Sequence, residues 1–189
     1  MTIQELQGIT KQFEYYRMIA EKTISRLSEE ELNLKISTES NSVAMLMRHL
    51  TGNLLSRFTN FFTEDGEKPW RNRDDEFADG TYEKIPLIAE WNSAWDTLFQ
   101  TLKSINTTNI EQPVKIRNQE HTVSGAIYRQ LSHYPYHIGQ IVFIGKLIRN
   151  QDWQSLTIAK NKSQEYNRDR FDNPNSETHF SQGYLDKNT

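Results

Sequence analysis

Apolar residues recur at intervals of three and four along most of this chain, and that recurrence predicts helices. Leu6, Ile9, Phe13, Tyr16, Ala20, Ile24 and Leu27 form the first series, opened by Thr2 and Glu5 at capping-box spacing. Ser28 and Glu31 repeat that spacing, which predicts a short turn of helix before a polar connector at 35–41. A second long helix is expected over 42–62, along Val43, Met47, Leu50, Leu54, Phe58 and Phe61. Ala44, Leu55 and Phe62 fall outside that stripe, and apolar residues around so much of a helix call for a further partner. The stretch 63–80 (TEDGEKPWRNRDDEFADG) is charged and rich in turn formers, a loop of the length that carries function or disorder. Ile88, Trp91, Trp95, Leu98, Leu102 and Ile105 mark a third helix, with Pro86 in its first turn, where a missing N–H costs nothing. Val114-Lys-Ile-Arg117 alternates apolar and basic residues, and 118–120 can fold it into a short hairpin with 121–123. Ser124 is the expected N-cap of a fourth long helix that ends near Arg149.

Four long helices and one long crossover define an all-α four-helix bundle, with a minor β-hairpin before the fourth helix. The bundle is expected to occupy 1–167. A polar tail at 168–189 follows, loosely ordered because 174–189 holds few apolar residues. A chain of 189 residues buries a core without staples. It contains no cysteine, which excludes disulfides, thiolate metal ligands and a cysteine nucleophile. Lys and Arg number 22 against 25 Asp and Glu, a net charge of −3 that speaks against a nucleic-acid partner. The longest apolar run, 138–148, is broken by Gln140 and Lys146 and falls short of the ~20 residues a membrane span needs. With no basic and apolar leader at its start, the chain reads as cytoplasmic.

The candidate chemistry lies in the histidines. His133 and His137 stand four residues apart, so their rings project about 40° apart on one helix face and can share a metal. They continue a seam of Ala126, Gln130, Ile141, Ile144 and Ile148, where an unpaired polar ring is costly. A metal pair and a satisfied core pair are the two readings. His49 is the third helical histidine, placed about 130° from the centre of its helix's apolar stripe, at a groove edge or facing water. Pro135 between the pair removes a helical hydrogen bond and predicts a kink. Around Trp70 stand Lys68, Arg71 and Arg73, placed either to cover a site and grip a carboxylate or to plug a hydrophobic gap as a solvated loop. Arg129, one turn before His133, is a candidate anion contact, and Asn53, one turn after His49, a candidate for orienting a ligand or water. Tyr134 and Tyr136 read as packing, His121 and His179 carry no role, and Glu14, Glu21 and Glu90 are the conceivable general bases.

The elements Met47-Arg-His49-Leu, Gly52-Asn53 and His133-Tyr-Pro-Tyr-His137-Ile-Gly-Gln140 resemble the DinB/YfiT-like superfamily of metal-binding bundles over residues 1–167. The loop Asp65-Gly-Glu-Lys-Pro-Trp70-Arg-Asn-Arg73 and Lys160-Asn-Lys-Ser163-Gln-Glu-Tyr166-Asn are similar to an uncharacterised branch of it. The resemblance implies a divalent metal held by His49, His133 and His137, a bundle with a long crossover, and a homodimer. It also implies a transferase or isomerase of small molecules that works with a low-molecular-weight thiol. Three neutral imidazoles leave the metal charge uncompensated and a coordination position open, as in catalytic sites. Such a site attracts anions and lowers the pKa of a bound water or thiol. Any thiol comes from a cosubstrate, since the chain has none. Zinc and nickel both suit imidazole ligands. The competing class is a non-enzymatic, stress-associated bundle that binds metal and ligand without turnover.

Overall fold

The computed structural model describes residues 1–173 and 179–186. Its helices are α1 (Ile3–Ile24), α2 (Glu29–Asn33), α3 (Val43–Phe58), α4 (Lys84–Ser104), α5 (Val123–Arg149), α6 (Ser163–Asp172) and α7 (Gln182–Leu185). The strands β1 (Pro113–Ile116) and β2 (Gln119–Thr122) pair antiparallel ahead of α5, so the protein is an all-α bundle with a minor hairpin. The principal pairings are α3 with α4 and α1 with α5, closed by α3 on α5 and α1 on α4. Going round the bundle the order is therefore α1, α4, α3, α5, and the connectors from α1 to α3 and from α4 to α5 each cross between diagonal helices.

Local chemistry sets the helix ends. Both capping boxes form, Thr2 with Glu5 and Ser28 with Glu31, and each satisfies orphan N–H groups at its helix start. The cap of α5 is Thr122, which accepts from the Gly125 N–H at 3.0 Å, two residues earlier than the expected Ser124. The hairpin ends there, so the strand's last residue doubles as the cap. α3 stops at Phe58 rather than at 62, because Thr59 turns extended with ψ of 126° and Asn60 then takes a left-handed φ of 49°. Phe61 still stacks on Phe58 at 5.6 Å, which is why the apolar pattern runs past the helix end. Pro135 lies inside the continuous helix α5.

The core fills the space between the four long helices, with Phe13, Leu50, Trp91, Trp95, Tyr134 and Ile141 almost fully enclosed. α3 is the most enclosed helix, with thirteen of its sixteen residues buried. Ala44, which lies off the main stripe and called for a further partner, is covered within the single chain. Beyond 149 the chain is more ordered than its polarity indicates. α6 runs across the expected boundary at 167, and Phe180 and Tyr184 pack on Tyr15 of α1 at 5.4 and 5.6 Å. The rest of the expected loose tail, 174–178 and 187–189, lies outside the described residues. None of the helices among the described residues is long and apolar enough to cross a membrane.

Candidate metal centre

α3 and α5 pack side by side, and their contact brings together three rings from two helices distant in the chain. His49 Nε2 lies 3.3 Å from His133 Nε2, which lies 3.1 Å from His137 Nε2. One ligand atom from each ring falls within 4.8 Å of the others, a cluster that can hold a divalent metal. The protons of these rings show how well the cluster fits a cation. Glu76 Oε2 sits 2.8 Å from His49 Nδ1, and since a carboxylate only accepts, that nitrogen carries the proton. His137 Nδ1 likewise faces the Gln140 carbonyl oxygen at 3.4 Å. The Nε2 of His49 is thereby left as a bare lone pair, a hydrogen bond to Gln140 leaves that of His137 in the same state, and the single nitrogen of His133 between them can donate to one at most. Lone pairs crowded in this way call for a shared cation. Metal–nitrogen bonds of about 2.0–2.1 Å at tetrahedral angles set nitrogens roughly 3.3–3.4 Å apart, close to the spacing seen here.

Burial and neighbouring charge keep the rings neutral. Burial pushes the His133 imidazole down to about 3, with further lowering by His137, His49, Arg71 and Arg129. His137 falls to about 4, chiefly by burial and then by His49, against an opposing hydrogen bond to Gln140. Both rings therefore present lone pairs at neutral pH.

His49 does not face water, contrary to what its wheel position allowed. It is 3% exposed because the 3-10 turn Asp75–Phe77, in the loop between α3 and α4, folds over it. Phe77 covers the ring at 4.6 Å. Glu76 is gripped from the other side by Arg71, whose Nε and Nη2 donate at 2.8 and 2.9 Å to its two oxygens. Burial raises the Glu76 carboxyl, but the bonds from His49 and Arg71 outweigh it and hold the group below its ordinary range. Gly52 makes this approach possible, since a Cβ there would lie 2.2 Å from Glu76 Oε1. A glycine inside a helix costs about 1 kcal/mol relative to alanine, and here it admits the carboxylate.

The other expected site residues divide. Asn53, Arg71 and Arg129 line the same cavity as the three histidines, and Gln130 and Arg73 join them. Arg71 is committed to Glu76. Asn53 Oδ1 accepts from the buried Tyr134 hydroxyl at 3.2 Å. Trp70 neither lines the cavity nor plugs a gap: it is 58% exposed. Lys68 is buried and donates to the Asp65 carbonyl at 2.8 Å, a staple of the loop. Glu14, Glu21 and Glu90 do not line this cavity, and Glu21 pairs with Arg17. Among the described residues the carboxylate that touches a histidine is Glu76, which the sequence reading passed over. The signals that pointed to it were Gly52 one turn beyond His49 and Phe77, an apolar residue in a charged loop.

The chain belongs to the family described as protein of unknown function DUF1572, whose model matches residues 2–162. Among solved structures it is similar to the crystal structure of a conserved protein from Enterococcus faecalis. The TM-score is 0.58 at 18% identity, covering 78% of this chain and 97% of the other. That likeness concerns the fold alone. No curated protein matches the chain.

Proposed function

We propose that this protein is a DinB-like, metal-dependent transferase that acts on a small molecule with a low-molecular-weight thiol or an activated water. The observation that carries the reading is the convergence of three imidazole nitrogens, with a carboxylate on the outer nitrogen of His49. His49, His133 and His137 would hold the ion, and zinc or nickel suits them. Bound there, the ion would supply a Lewis acid that lowers the pKa of a water or thiol. Glu76 holds the proton on His49 Nδ1 and fixes that ring's orientation, and Arg71 holds Glu76. Phe77 and the loop exclude water from one side of the site. The nucleophilic sulfur would come from the cosubstrate, because the chain has no cysteine.

A binding role without turnover is the second reading, and one observation favours it. Glu76 is engaged on both oxygens, so it is not free to serve as a general base. Self-association as a homodimer is part of the proposal. What supports it is a stripe on α5 of exposed Tyr136, Phe143 and Leu147, at 65, 63 and 48% exposure, spaced along one face.

Metal analysis of the purified full-length chain, followed by a screen of thiol cosubstrates, tests the reading. One equivalent of metal is expected in the parent protein and in His121→Ala and His179→Ala, and none in His133→Ala or His137→Ala. Stoichiometric metal of undiminished affinity in His49→Ala would overturn the three-histidine site. Metal binding without turnover of any thiol pair would favour the second reading.

A further inference from the structure

The histidine cavity has a second wall, made of cations. Arg57, Arg71, Arg73, Arg117 and Arg129 all line it. Three of them are spent within the fold. Arg57 donates to Glu67 at 3.1 Å and to the Gly66 carbonyl, Arg71 closes on Glu76, and Arg117 donates to Glu67 at 2.9 Å. Two are left over. Among the described residues the carboxylate near Arg73 is Asp74 at 3.9 Å, where both side chains are more than half exposed, and the Arg73 guanidinium lies over the Phe77 ring at 5.2 Å. Arg129 has no ion pair among the described residues, and it stands on α5 one turn before His133.

Beside Arg129, Gln130 is 2% exposed, and its Oε1 accepts no hydrogen bond among the described residues. A buried acceptor left unmade costs about 1–3 kcal/mol, so this oxygen calls for a donor from whatever occupies the cavity. We propose that this wall is a carboxylate subsite, in which Arg73 and Arg129 hold the anion of a small ligand and Gln130 accepts from an O–H or N–H next to it. The inference deepens the function proposed above by naming its substrate class, yet it stands on side chains other than the histidines.

Size and donor type narrow the class. A cavity of about 240 Å³ lies below the roughly 300–1,000 Å³ of drug-sized sites, which suits a ligand of a few heavy atoms. The cavity residues of α3 and α5 lie away from the N-termini of these two helices, so neither helix offers it the backbone N–H groups that favour phosphate. The donors are guanidinium forks, which match the two-oxygen edge of a carboxylate or of a phosphate, and competition by methyl phosphate separates the two.

Isothermal titration of the full chain with lactate, propionate and lactamide separates the parts, in metal-free protein and again after zinc loading. Lactate is expected to bind metal-free protein. Propionate, which lacks the hydroxyl, should bind about 2–10-fold more weakly, and uncharged lactamide at least ~10-fold more weakly. Arg129→Gln should weaken lactate and propionate alike, by roughly tenfold or more. Gln130→Leu should erase the preference for lactate over propionate while leaving propionate affinity in place. An unchanged melting curve for each variant excludes a folding defect. Lactamide binding as well as lactate would overturn the proposal, as would a hydroxyl preference that survives Gln130→Leu. Methyl phosphate outcompeting lactate in metal-free protein would overturn the carboxylate assignment. Lactate binding that appears only with zinc and ignores Arg129→Gln would overturn the subsite while leaving the metal reading standing. Failure to bind zinc, with the Arg129 and Gln130 effects intact, would do the reverse.

Discussion

Replacing Gly52 with alanine sets two effects of opposite sign against each other. Helix propensity alone favours the change by about 1 kcal/mol, because glycine is poor in a helix interior. The new Cβ, however, would lie 2.2 Å from Glu76 Oε1 and 2.9 Å from its Cδ, so the carboxylate must move. Elsewhere a glutamate end would swing aside cheaply. Here it is pinned by His49 at 2.8 Å and by two bonds from Arg71, whose side chain is 2% exposed. A hydrogen bond to a charged group is worth about 1.5–3 kcal/mol, and a buried ion deprived of its partner costs about 3–5 kcal/mol. Glu67 at 3.7 Å compensates Arg71 in part. The net expectation for Gly52→Ala is a loss of roughly 2–4 kcal/mol. Loss of an outer partner also lowers metal affinity by about 10–100-fold. Urea unfolding of metal-free protein reads the first number, and zinc competition against a chromophoric chelator reads the second. A Gly52→Ala variant about 1 kcal/mol more stable than the parent, with unchanged zinc affinity, would refute the account of Glu76 as the residue that fixes His49.

Other expectations follow from the same geometry. His133 and His137 are lowered from 6.5 to about 3 and about 4, so the unfolded chain takes up their protons first as pH falls. Metal-free stability should hold above ~6.5 and decline from there towards pH 4, by less than ~1.4 kcal/mol per unit for each ring because both are partly solvated. Urea midpoints that stay flat from pH 7 to 5 would contradict this. Trp95→Ala, at a fully enclosed ring, should cost about 3–5 kcal/mol in the same assay. If α5 forms the dimer face, Phe143→Glu should convert a dimeric mass by light scattering to a monomeric one, and a parent that is monomeric at micromolar concentration would remove the dimer from the proposal.

What the sequence made legible follows from what periodicity encodes. The seams on α1, α3, α4 and α5 record burial directly, and the four long helices were visible in them. His133 and His137 were readable as a pair because a helix converts a spacing of four residues into a shared face. His49 was not, because its burial comes from Glu76 and Phe77, in a loop whose charged sequence has no period to read. The same loop made Arg71 look like a substrate clamp, yet its guanidinium is committed to Glu76. The helical order beyond 162 was hidden as well: α6 has no buried residue and so leaves no apolar seam.

The site is divided between two kinds of scaffold. Its histidines stand on the middles of α3 and α5, whereas Arg73 and Arg117 stand on the loop before α4 and on the hairpin turn. That turn and loop are held to each other by Asp65, which accepts from the backbone N–H groups of Glu67, Arg117 and Asn118. Arg73 and Arg117 are both exposed and take no part in the core. One wall of the cavity can therefore change by exchange of side chains on a surface loop and turn, with the bundle, its three rings and the α5 side chains beside them inherited intact. The loop-borne wall is the cheap variable in this architecture, and the helix-borne cluster is the expensive constant.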